Sequence, residues 1–112
     1  MKLSSRKVGD VTVLDIEGQI LFGEGDGKIR QAVESLIQAG QKKVLLNLAE
    51  VPYVDSAGLG EMIRCFTAMR RAQGNLKLLG PNPRLIDLLS MTKLDKVFDW
   101  YNDEASALAG FA

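Results

Sequence analysis

Apolar residues change their spacing several times along this chain, and each change marks an element. Leu3 to Val8 and Val11 to Glu17 read as two strands flanking Gly9-Asp10, a dipeptide suited to a tight hairpin turn. Gly23-Glu24-Gly25-Asp26-Gly27 alternates glycine with acid and reads as a solvated surface loop. From near Asp26 to about Ala39, Ile29, Val33, Leu36 and Ile37 recur at the spacing of an amphipathic helix, with Gly40 as its C-cap. Val44-Leu45-Leu46-Asn47-Leu48 is an almost unbroken apolar run, which suits a strand covered on both faces. A second helix is predicted from about Ser56 to Gln73, with Leu59, Met62, Ile63, Phe66 and Met69 facing inward and Gly74-Asn75 as its stop. Leu76 to Leu79 reads as a strand. Asn82 is then an N-cap, with Pro83 at the first helical position of a short helix, Arg84 to Met91, that turns Leu85, Leu88 and Leu89 inward. Val97 to Tyr101 is a candidate last strand, with Phe98, Trp100 and Tyr101 plugging the sheet edge. Asp103 can cap a terminal helix, Glu104 to Leu108.

Strands alternating with helices after an initial hairpin imply a sheet with helices packed against it, an α/β or α+β arrangement. The 112 residues carry no repeat, low-complexity tract or linker, so residues 1–112 are expected to form one domain. Their 46% apolar content is ordinary for a globular chain. No apolar run reaches the roughly 18 residues of a membrane span, and Met1 to Arg6 lacks the apolar stretch of a signal peptide, so a cytoplasmic protein is expected. Cys65 is the only cysteine, which excludes an internal disulfide and agrees with a reducing compartment. Lys plus Arg equals Asp plus Glu at 14 each, so there is no basic footprint for nucleic acid.

Against this regular background, Val54-Asp55-Ser56-Ala57-Gly58-Leu59-Gly60 opens the second helix badly. Two glycines sit in its first turn and a half, each costing up to about 1 kcal/mol relative to Ala. Asp55 and Ser56 are both natural N-cap residues, and only one can be the cap. A run that breaks a local rule without local gain is a candidate functional site. Gly58 and Gly60 strip side chains from the helix start; either another protein's backbone or the chain's own sheet could approach there. The segment follows a buried strand and precedes a helix, where open α/β sheets usually meet ligands.

The residue inventory argues against an enzyme. Without histidine a Ser-His-Asp triad cannot be assembled, and the commonest metal ligand is missing. No Ser-x-x-Lys spacing surrounds Ser56, and Val54 stands where a nucleophile elbow needs glycine. Gly27-Lys28 is followed by Ile29, and Phe22 occupies the leading position, so the glycine loop is neither a P-loop nor a dinucleotide fingerprint. Glu24 and Asp26 are too few for a calcium loop. Cys65 lies among apolar residues and reads as a buried thiol, with Met62 and Met69 as core filler.

Leu45-Leu46-Asn47-Leu48 followed by Val51-Pro52-Tyr53-Val54-Asp55-Ser56-Ala57-Gly58-Leu59-Gly60 resembles the signature of the STAS domain, in the form found in bacterial anti-sigma factor antagonists. The likeness extends to the Glu17-Gly18-Gln19-Ile20 turn and the Gly80-Pro81 turn, and so covers nearly the whole chain. The resemblance implies an α/β fold: a small mixed sheet of four to five strands, opened by the hairpin, with about four helices mainly on one side. It also implies the partners. Family members are substrates of an anti-sigma factor that is a serine kinase, and they bind it when unphosphorylated. Phosphorylation of the motif serine, here Ser56, blocks binding, and a serine phosphatase resets the switch. The surface expected to meet the partner surrounds Ser56 at Asp55, Ala57, Gly58, Leu59 and Gly60. It includes Gly23, Glu24, Gly25 and Asp26 of the loop into the first helix, which is richer in glycine than the family's usual connection. Some STAS proteins bind nucleotide weakly, but no residues here specify such a site, and no cofactor is expected. Two other roles are weighed: a STAS subunit of a lipid or anion transporter that docks without phosphorylation, and a small hydrolase using Ser56.

Overall fold

The hairpin forms as its spacing predicts. In the computed structural model, which describes residues 1–21 and 27–111, β1 (Lys2–Val8) and β2 (Val11–Glu17) pair antiparallel, with Val8 opposite Val11. Gly9 takes φ 63°, the positive value a two-residue turn with glycine at its first central position requires. The remaining strands, β3 (Lys43–Glu50), β4 (Asn75–Leu79) and β5 (Trp100–Tyr101), add in parallel, giving the order β1-β2-β3-β4-β5. Parallel neighbours need crossovers, and these are α1 (Lys28–Gln38), α2 (Ser56–Arg71) and α3 (Pro83–Met91); α4 (Glu104–Ala109) follows β5.

The strands separate two cores. Leu14, Ile16, Leu46, Leu48, Leu76 and Leu78 face α1, α2 and α3, where Val33, Met62, Cys65, Met69 and Leu89 are sealed from solvent. On the other face Val11, Val13, Leu45 and Leu79 pack with Ala107 and Phe111, which come from α4 and just beyond it. Three helices therefore cover one face and a single small one the other, the α/β arrangement expected. No helix among the described residues is long and apolar enough to cross a membrane.

Some boundaries differ from the expectation. α1 begins at Lys28 after Gly27, a left-handed residue (φ 78°) that gives no side-chain cap, and Asp26 lies outside the described residues. Gly40 (φ 80°) follows the cap residue Ala39 and donates to the Ile37 carbonyl, while Gln41 donates to that of Leu36, so two end carbonyls are satisfied. The stop of α2 works differently. The left-handed residue is Gln73 (φ 63°), not Gly74. Gly74 is glycine because a side chain there would run into the Lys42 carbonyl and the Met69 sulfur. Only Trp100 and Tyr101 of the expected last strand pair with β4; Phe98 turns into the helix-side core, edge-on to Phe66 at 5.2 Å.

Candidate functional site

The cap of α2 is Asp55. It is extended (φ −84°, ψ 177°), and its Oδ1 accepts the Gly58 N–H at 2.7 Å while its carbonyl accepts the Leu59 N–H at 2.9 Å. Ser56 is consequently the first helical residue. Its side chain is exposed and takes no part in capping. Ala57 beside it is also exposed and Gly60 is half-exposed, whereas Gly58 and Leu59 are buried.

Two separate segments fix the mouth of the helix. Beyond β2, Gly18 donates to the Glu50 carbonyl and Ile20 to that of Tyr53, and Ile20 bridges Val54 in parallel. The Ile20 carbonyl accepts from the Asp55 amide at 3.2 Å. A Cβ on Gly58 would collide with that carbonyl and come within 3.0 Å of Ile20 Cγ2. The close approach at Gly58 is therefore made by the chain itself, while a Cβ on Gly60 would meet only Arg64 Nη1 at 4.0 Å among the described residues. From the opposite side, Asn82 caps α3 by accepting the Leu85 N–H at 2.9 Å, and its amide donates to the carbonyls of Val51 (3.3 Å) and Pro52 (2.9 Å). One side chain thus ties the start of α3 to the approach of α2. The capping role is readable from Asn82-Pro83, but the clamp is not, because its partners lie 30 and 31 residues away.

Ser56 stands on the ridge between two clefts. The cleft toward α3 is lined by Tyr53, Val54, Leu88 and the exposed Met91, with Arg84 set 5.9 Å over the Tyr53 ring. The cleft toward α1 is lined by Arg30, Gln31, Gly60, Glu61 and Arg64. Arg84 and Arg30 come beside the Ser56 ridge only through the packing of α3 and α1, whereas Arg64 lies on α2 itself. Gly23, Glu24, Gly25 and Asp26 lie outside the described residues.

The arrangement offers a hydroxyl at the positive end of a sixteen-residue helix, in a chain without histidine. Cys65, the other candidate nucleophile, is sealed in the core, and burial together with the nearby Glu61 charge pushes its thiol up to about 12. No group of three His, Cys, Asp or Glu side chains among the described residues could hold a metal ion.

The geometry agrees with known proteins. Residues 2–107 match the STAS domain family. The anti-sigma-B factor antagonist of Listeria monocytogenes is 36% identical over 78 residues, spanning 69% of this chain and 68% of its own. Among solved structures, the Thermotoga maritima protein TM1081 superposes with a TM-score of 0.89 at 22% identity, covering 97% of this chain and 93% of its own. The Bacillus cell fate determinant SpoIIAA in its phosphorylated form superposes with a TM-score of 0.73 at 18% identity, covering 94% and 96%. A match across nearly the full length, a close relative and a shared fold together place this chain in the STAS domain family.

Proposed function

We propose that this chain is an anti-sigma factor antagonist acting in the cytoplasm: it binds an anti-sigma factor that is also a serine kinase, and phosphorylation of Ser56 ends the binding. The observation that carries the reading is the division of labour at the start of α2. Asp55 caps the helix, Ile20 and Asn82 brace its approach, and Ser56 is left outside on an exposed ridge. The curated relative's name favours a regulator over a transporter subunit.

The chain itself catalyses nothing in this scheme. The kinase transfers the γ-phosphoryl group of ATP: the bond from Ser56 Oγ to phosphorus forms, the bond from phosphorus to the ADP oxygen breaks, and the hydroxyl proton passes to a base of the kinase. The phosphate adds about −1.5 to −2 charges at neutral pH. At a helix N-terminus it is tolerated, because amide N–H groups and the dipole favour an anion there. For a partner packed over the ridge the same group brings bulk, a desolvation cost and charge beside Asp55. The fold is kept and the interface is lost. A serine phosphatase reverses the change by hydrolysing the ester.

Incubating the protein with the cognate kinase and ATP, followed by mass spectrometry, tests the reading. One phosphate on Ser56 is expected; a phosphate elsewhere with Ser56 unmodified would overturn it. Ser56→Ala is expected to bind the kinase constitutively and Ser56→Asp to bind weakly.

A further inference from the structure

Ser56, Gly60 and Arg64 follow one another at intervals of four on α2 and so lie along one stripe of the helix. The middle position is empty. A side chain's first carbon on Gly60 would have a single near neighbour, the Nη1 of Arg64 at 4.0 Å. The Arg64 guanidinium is therefore folded back toward the N-terminal end of α2, over the gap. Across the cleft, α1 supplies Arg30, and Ser56, Gly60 and both arginines line the same groove.

Glu61 holds the two guanidiniums. It is nine-tenths buried, and its Oε2 accepts from Arg64 Nη1 at 3.2 Å. Its Oε1 stands 3.5 Å from Arg30 Nε and makes no hydrogen bond. Arg30 also reaches Glu34 at 3.8 Å. Each arginine has five N–H donors in a fork that suits phosphate, and among the described residues these loose pairings occupy few of them.

We propose that a phosphate on Ser56 is clasped by Arg64 and Arg30 of the same chain, with Gly60 leaving the path between serine and arginine clear. The inference rests on the reading of Ser56 as the phosphorylated residue and adds a mechanism to it. Phosphorylation then closes the α1–α2 groove as well as charging the ridge, so a partner loses the floor of its contact surface. The cleft on the α3 side keeps its shape.

The test uses the full chain with phosphoserine installed at position 56 during synthesis, and follows the phosphate by phosphorus NMR as pH is varied. Among the described residues, the charged groups around it are Asp55, Glu61 and Arg64 on or before α2, Arg30 and Glu34 on α1, and Arg84 and Asp87 on α3. The second ionisation of the phosphate is expected below the value of about 6 for an unpaired phosphoserine. Arg64→Gln and Arg30→Gln should each raise it by about half a unit, a modest shift because both guanidiniums are partly exposed to water and salt. Arg84→Gln, on the other side of the ridge, should leave it unchanged. Equal titrations in the wild type and the Arg30 and Arg64 variants, or a shift that follows Arg84 instead, would overturn the clasp. No kinase is needed for this measurement. A kinase that ignores Ser56 defeats the switch and leaves the clasp measurable, while an unchanged titration defeats the clasp and leaves the switch standing.

Discussion

Gly58 lies so close to the carbonyl of Ile20 that no side chain fits between them. The contact joins the first turn of α2 to the segment leaving β2, 38 positions earlier, and gives the two glycines of the motif different tasks. Gly58→Ala must push backbone aside and is expected to cost about 2–4 kcal/mol of stability. Gly60→Ala meets only the end of Arg64 and replaces a poor helix former, so it should be neutral or stabilising by up to about 1 kcal/mol. Urea denaturation of the two variants reads the difference, and equal losses would contradict it.

Asn82 serves two elements at once. Asn82→Ala removes the α3 cap and two hydrogen bonds to the Ser56 approach, with an expected loss of about 1–2 kcal/mol. Asn82→Ser can still cap the helix but cannot reach the Val51 and Pro52 carbonyls, so its loss should be smaller. A denaturation series that ranks Ser with Ala would show that the clamp contributes little.

On the opposite face, Arg6 bridges Asp15 of β2 and Glu104 of α4. The guanidinium holds both carboxyls below their usual range. Because these folded-state values are depressed, the contribution is fully present above the unfolded carboxylate range near pH 4 and fades as pH falls through the folded values. Arg6→Ala should therefore cost about 0.5–1 kcal/mol at pH 7, less in high salt, and progressively less as pH falls below the unfolded carboxylate range. Melting curves of both proteins across that range check the convergence.

Cys65 should react with thiol reagents only as the core opens, because it is sealed and its thiolate is scarce at neutral pH. Labelling at pH 8 is expected to be slow and to accelerate with denaturant. Complete labelling within seconds in native buffer would contradict the burial.

Local chemistry explains what is legible in the sequence. The hairpin, the three crossover helices and the Asn82-Pro83 start of α3 follow from spacing and capping preferences that neighbours in sequence decide. The choice between Asp55 and Ser56 as cap is not local: it follows from where the Ile20 carbonyl catches the Asp55 amide. For the same reason the task of Gly58 stays open until Ile20 is placed beside it, and Gly74 reads as a helix stop although its neighbour Gln73 makes the turn. The inward stripe of α2 follows from spacing alone: Leu59, Met62 and Met69 are buried, Ile63 and Phe66 pack half-buried against the same core, and Cys65 is sealed beside them as expected.

The central claim is that charge on one oxygen at the start of α2 controls association without disturbing the fold. Titration calorimetry of the anti-sigma factor kinase with unmodified protein and with protein phosphorylated on Ser56 tests it most directly, alongside circular dichroism of both forms. The account predicts at least a hundredfold weaker binding for the phosphorylated form, about 3 kcal/mol, with the same folded spectrum. Equal affinities, or weaker binding that arrives only with loss of structure, would contradict it.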